Sequence, residues 1–83
     1  MKYNVGYIGN FADIGEYILY NKNISLELVV CEKNKLNNKL LTFCLVRNIK
    51  LEVVNSKIEL INIINKNKEL IDFYIMCSFG MIL

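Results

Sequence analysis

Four short runs of β-branched and aromatic residues alternate along this chain with three stretches in which apolar residues recur every three or four positions. This switch of period limits the available folds more than any other feature. Parallel strands need a long crossover between them, and a helix is the usual one. The strand-like runs are Tyr3 to Ile8, Leu26 to Cys31, Ile49 to Val54 and Ile71 to Cys77. Between them, Phe11, Ile14, Ile18 and Leu19 mark one helical face. Leu36, Leu40, Leu41, Cys44 and Leu45 mark a second, and Leu60, Ile61, Ile64 and Leu70 a third.

The boundaries carry their own chemistry. Gly9-Asn10 suits a sharp turn out of the first run, and Asp13 and Glu16 fall near the amino end of the first helix, where the macrodipole favours carboxylates. Ser56 precedes Glu59 at capping-box spacing. The order β-α-β-α-β-α-β with short connections predicts an α/β fold built on a mainly parallel four-stranded sheet with three helices. Right-handed crossovers place the first two helices on one face. A reversal after the third strand puts the third helix on the opposite face and the fourth strand beside the first. The expectation is a three-layer, Rossmann-like half with strand order 3-2-1-4, a single partial domain over residues 1–83.

Composition excludes several kinds of chemistry. The 83 residues are 54% hydrophobic and 22% charged, which is enough apolar surface to build a core, and the net charge of +2 is too small an excess to imply nucleic acid. Lys33, Lys35 and Lys39 form a sparse basic stretch without interleaved aromatics, so they read as a solvated helix start. There is no His, which removes imidazole acid–base catalysis, a histidine metal ligand and a Ser-His-Asp triad. Cys31, Cys44 and Cys77 are odd in number, far apart and flanked by apolar residues, the pattern of buried thiols in a reducing compartment. The five tyrosines, Tyr3, Tyr7, Tyr17, Tyr20 and Tyr74, read as core or half-buried residues. No secretory-type apolar stretch follows Met1. The longest apolar run, the eleven residues from Phe73 to Leu83, is short of the roughly 20 that cross a bilayer. The expectation is a cytoplasmic protein with no membrane association.

The last strand stands out. In the order 3-2-1-4, Phe73-Tyr74-Ile75-Met76-Cys77 is an edge, apolar on both faces and without a charge to protect it. Such an edge fits the amino-terminal part of a longer protein, or one covered by a partner chain or a second copy through strand pairing.

A sheet of this kind binds ligands beyond the carboxyl ends of its strands, where the order reverses. Two loops meet that condition: Gly9-Asn10-Phe11-Ala12 after the first strand and Ser78 to Leu83 after the fourth. Gly6, Gly9 and Gly15 lack the G-x-G-x-x-G order of a dinucleotide fingerprint. Glu32 nevertheless occupies the place of a ribose-binding acid, so a nucleotide-binding half with Gly9 and Glu32 is one alternative. The other is an interaction protein pairing through its fourth strand.

The run Asn4-Val5-Gly6-Tyr7-Ile8-Gly9-Asn10-Phe11, followed by Ile18-Leu19, resembles the opening of the methionyl-tRNA formyltransferase and sugar N-formyltransferase family. The stretch from Asp72 to Leu83 is the closer match. It begins with an Asp before the strand and closes in a small residue, an aromatic, Gly, any residue, then Ile-Leu. Between these, Leu41 to Val54 and the helix from Lys57 are similar to the family in order and length.

The resemblance implies formyl transfer from N10-formyltetrahydrofolate to an amine, such as a sugar amine or an aminoacyl-tRNA. It places Phe79, Gly80, Met81, Ile82 and Leu83 against the folate and Gly9, Asn10 and Phe11 toward the acceptor. The sequence also departs from the family. Its Asn-x-His-x-Ser motif and later catalytic Asp have no counterpart here, so the resemblance assigns no catalytic residue and implies a segment inactive alone. Ile71 stands where a Pro commonly precedes the Asp, and the loop after Gly9 lacks the usual Thr-Pro.

Overall fold

A computed structural model describes residues 2–77. Its elements are β1 (Tyr3–Gly9), α1 (Ala12–Leu19), β2 (Ile24–Glu32), a 3-10 turn (Lys33–Lys35), α2 (Asn38–Arg47), β3 (Lys50–Val54), α3 (Lys57–Lys66) and β4 (Phe73–Cys77). The strands form one sheet in the order β3-β2-β1-β4, and each pairing is parallel. The expected α/β class, strand order and three helices are all present.

Two apolar cores flank the sheet. Tyr7, Val29 and Cys31 pack with Ala12 and Ile18 of α1 and with Leu40, Phe43 and Cys44 of α2. Ile8, Leu28, Val30 and Val54 pack with Leu60 of α3 and with Ile71 on the other face. Because β1 and β2 are central and covered on both sides, they read as continuous apolar runs.

One irregularity decides which core β2 serves. Val5 pairs with Leu26 but Gly6 pairs with Leu28, so Glu27 is an extra residue on β2. The bulge reverses the pleat. Leu26 therefore joins the α1–α2 core and Leu28 the α3 core, although strict alternation would put both on one face.

The helix ends follow local chemistry. Asn37 caps α2 by accepting the Leu40 N–H at 2.9 Å, and α2 closes on Asn48 in the left-handed region at φ 57°, with the Ile49 N–H on the Cys44 carbonyl at 2.9 Å. Ser56 caps α3 by accepting the Glu59 N–H at 3.2 Å. The Glu59 carboxylate returns to the N–H of Asn55, one residue before the cap, at 3.3 Å. The third helix is shorter than its apolar stripe, ending at Lys66 and leaving Leu70 in the connection to β4. There the buried Asn67 donates its side-chain N–H to the Ile63 carbonyl at 2.8 Å and accepts the Ile71 N–H at 3.0 Å.

The two helices on one face are locked by close approach. A Cβ on Gly15 would lie 2.8 Å from the ring of Phe43, so α1 and α2 touch at a position only glycine can occupy without displacing that ring. Asp13 and Glu16 cross to α2, pairing with Lys39 at 2.8 Å and Arg47 at 3.7 Å. They link helices as well as complementing a dipole. Tyr17 and Tyr20 are exposed, at 76% and 82%, in an edge-to-face pair, contrary to the half-buried expectation. Their hydroxyls stay in water on the outer side of α1, whereas Tyr7 is buried.

Asp72 fixes the start of β4. Its N–H donates to the Asn4 carbonyl at 2.6 Å and its carboxylate accepts the Asn4 N–H at 2.7 Å. This reciprocal pair sets the register that continues from Val5–Phe73 to Gly9–Cys77.

Candidate functional site

The pairing of β1 with β4 brings two strand exits together. Gly9, the last residue of β1, lies beside Cys77, the last of β4, with the end of β2 at Glu32 on the other side. This is the carboxyl edge at the point where strand order reverses, the place in such sheets where ligands bind. The residues that the resemblance assigns to the folate, Phe79, Gly80, Met81, Ile82 and Leu83, lie outside the described residues.

Of the residues expected to face the acceptor, only Phe11 turns outward, with 51% of its surface exposed. Gly9 sits directly over Tyr7, whose ring and hydroxyl fill the space a Cβ would need. The Tyr7 hydroxyl accepts the Phe11 N–H at 3.3 Å and so stands in for a capping side chain at the start of α1, where Phe11 supplies none. Burial pushes the ionisation of Tyr7 up. The Phe11 N–H opposes that shift and Cys77 adds to it.

Asn10 turns inward and is 2% exposed. Its Oδ1 accepts the Glu32 N–H at 2.9 Å, and its Nδ2 donates to the Glu32 carboxylate at 3.4 Å. Its carbonyl accepts from Asn37 Nδ2 at 3.1 Å, and the same nitrogen donates to the Lys35 carbonyl at 3.1 Å. One polar network, buried at Asn10 and Glu32 and reaching the surface at Asn37, thus joins the exits of β1 and β2 to the first turn of α2. Buried polar groups are stable when satisfied in this way.

The network bears on the nucleotide alternative. In a dinucleotide-binding sheet the acid closing the second strand offers its carboxylate to ribose hydroxyls. Here Glu32 is 6% exposed and its carboxylate is engaged by Asn10.

The two buried thiols, Cys31 and Cys44, are held in the protonated form at neutral pH. Burial first, then Cys44 and Glu32, push Cys31 up to about 11. Burial likewise raises Cys44, against the opposing effect of Arg47. Cys31 and Cys44 are buried, and Cys77 is half-buried. Among the described residues no cluster of three or more potential ligands could hold a metal ion, and no helix is long and apolar enough to cross a membrane.

Three shallow grooves touch Arg47. One of them, about 400 Å³, runs between α1 and α2 over Ala12, Thr42 and Phe43. The guanidinium there lies 4.4 Å from the centre of the Phe43 ring, donates to the Phe43 carbonyl and pairs with Glu16. Its charge is used within the protein.

The carboxyl edge therefore offers an outward aromatic ring on a hydrogen-bonded loop, beside the exit of β4. Sequence reading pointed to this edge but missed the inward turn of Asn10 and the part played by Asn37. No spacing rule links partners 22 or 27 positions apart. The one signal was a polar residue directly following an apolar run, at Asn10 and again at Glu32. No protein-family model, curated protein or solved structure matches this chain.

Proposed function

We infer that the chain is the folate-side segment of an N10-formyltetrahydrofolate-dependent formyltransferase, acting in formyl transfer to an amine such as a sugar amine or an aminoacyl-tRNA. The observation that carries this reading is the β1–β4 pairing with Gly9 beside Cys77. It sets the loop of Phe11 next to the exit of β4, the strand whose continuation resembles the family's folate-binding loop. A glycine at position 80 would let backbone approach a flat pterin, and Met81, Ile82 and Leu83 would supply an apolar wall. The segment provides binding surface, while groups for proton transfer and for stabilising a tetrahedral oxyanion would come from residues this sequence does not contain.

Calorimetric titration of the 83-residue chain with N10-formyltetrahydrofolate tests the reading. The expected result is saturable binding that is lost in Gly80→Val, with no formyl transfer to added amines above background. Absence of saturable folate binding to the folded chain would sink it. Saturable NAD binding abolished by Glu32→Ala would transfer the case to the nucleotide alternative.

A further inference from the structure

The two edges of the sheet are built differently. β3 carries Lys50 and Glu52, and Glu52 is bridged by Lys50 at 3.4 Å and approached by Lys66 at 3.9 Å. Charges of this kind block strand addition. β4 has none: its five residues are Phe, Tyr, Ile, Met and Cys, and Phe73 and Met76 are each 43% exposed. The charge that precedes the strand, Asp72, is tied to the Asn4 N–H. Tyr3 packs on Phe73 with ring centres 5.9 Å apart and extends the apolar surface at that end.

We propose that the outer edge of β4 is a self-association surface, on which β4 of a second copy of this chain pairs antiparallel about a two-fold axis through Ile75. The occupant follows from the strand's own pattern. Phe73, Ile75 and Cys77 share the α1–α2 face, and Tyr74 and Met76 share the α3 face, as their partners on β1 and the two cores require. With Ile75 opposite its equivalent, Phe73 meets Cys77 of the other copy on one face and Tyr74 meets Met76 on the other. Every cross-strand pair is apolar or aromatic with sulfur, and no like charges oppose one another. A two-fold contact needs such self-complementarity, and the strand is uncharged along its whole length. The product is one continuous sheet of eight strands, four from each copy. The inference stands apart from the folate reading and can fail or hold without it.

Sedimentation equilibrium of the 83-residue chain from ~10 µM to ~1 mM, a range suited to a contact of one short strand, tests it. The weight-average mass is expected to rise by roughly half across the range, from near the monomer toward the dimer. Met76→Lys, at a half-exposed position, is expected to keep the circular dichroism of the parent and raise the dimerisation midpoint at least tenfold. In this register the two Met76 positions are diagonal neighbours, so an equal mixture of Met76→Lys and Met76→Glu is expected to dimerise at least as well as the parent. Leu45→Lys, on the exposed side of α2, serves as control and should leave the midpoint unchanged. A parent chain of monomer mass at ~1 mM, a dimer weakened by Leu45→Lys instead of Met76→Lys, or a mixture no stronger than its components would each overturn the proposal.

Discussion

Replacing Asn10 with Asp tests the buried network at a single atom. Oδ1 and its bond from the Glu32 N–H are kept, while the Nδ2 donor becomes a carboxylate oxygen facing Glu32 across 3.4 Å. Two full charges at 3.4 Å repel by about 5 kcal/mol at an effective dielectric constant of ~20. The pair can avoid this by retaining one proton. With an ordinary carboxyl value near ~4, that costs about 4 kcal/mol at pH 7, and so limits the loss. The expected destabilisation is about 3 to 4 kcal/mol at pH 7, against a total of roughly 4 to 12 kcal/mol for a domain of this length.

The pH dependence has a definite sign. The retained proton means the folded state ionises at higher pH than the unfolded one. The variant therefore approaches the parent below ~pH 4 and falls progressively behind as pH rises through the raised value. Urea unfolding at pH 4.5 and pH 7.5 measures both limits. Adding Glu32→Gln restores a donor opposite the new carboxylate and should recover at least about 2 kcal/mol at the higher pH, typical of a hydrogen bond to a charged group. Equal destabilisation at both pH values, or no recovery in the double variant, would show that Asn10 and Glu32 are not paired as described.

Four further outcomes follow from the packing, the start of β4 and the thiols. Gly15→Ala gains helix propensity but places a methyl 2.8 Å from the buried Phe43 ring, and should lower the urea-derived stability by about 1 kcal/mol net; a more stable variant would refute the close approach. Asp72→Ala should cost about 1 to 2 kcal/mol and speed exchange of the Asn4 amide, since it removes a charge-assisted bond of 2.7 Å at the start of β4. In the native chain a thiol reagent at pH 8 should modify Cys77 first, leaving Cys31 and Cys44 until urea is added. Because Cys31 ionises near 11 when folded against an ordinary 9.0, the unfolded chain loses its proton first, and stability should fall as pH rises above ~9.

The architecture was legible because its determinants are local. The alternation of strand-like runs with helical stripes, read with the rules of crossover handedness, leads to β3-β2-β1-β4 without any pairing being known. The capping of α3 by Ser56 was visible for the same reason. What escaped was set by tertiary partners. Leu26 and Leu28 separate into different cores because of a bulge that no residue type at Glu27 announces. Tyr17 and Tyr20 look like core residues in composition yet lie on the side of α1 away from the sheet. At the candidate site the edge could be anticipated, but Phe11, read as part of the apolar face of α1, turns outward, and Asn10 is a determinant of the loop's shape because Glu32 and Asn37 reach it from distant segments.

The surplus residue on β2 has one more implication. Strand segments normally resist losing a residue, since everything on one side of the cut changes face. At Glu27 the reverse holds: with it excised, Leu26 and Leu28 become consecutive and still oppose Val5 and Gly6, and each keeps the core it already occupies. Glu27 is thus a point in the central sheet where chain length can change by one without re-sorting either hydrophobic layer, and natural variation in the length of this strand would be absorbed there.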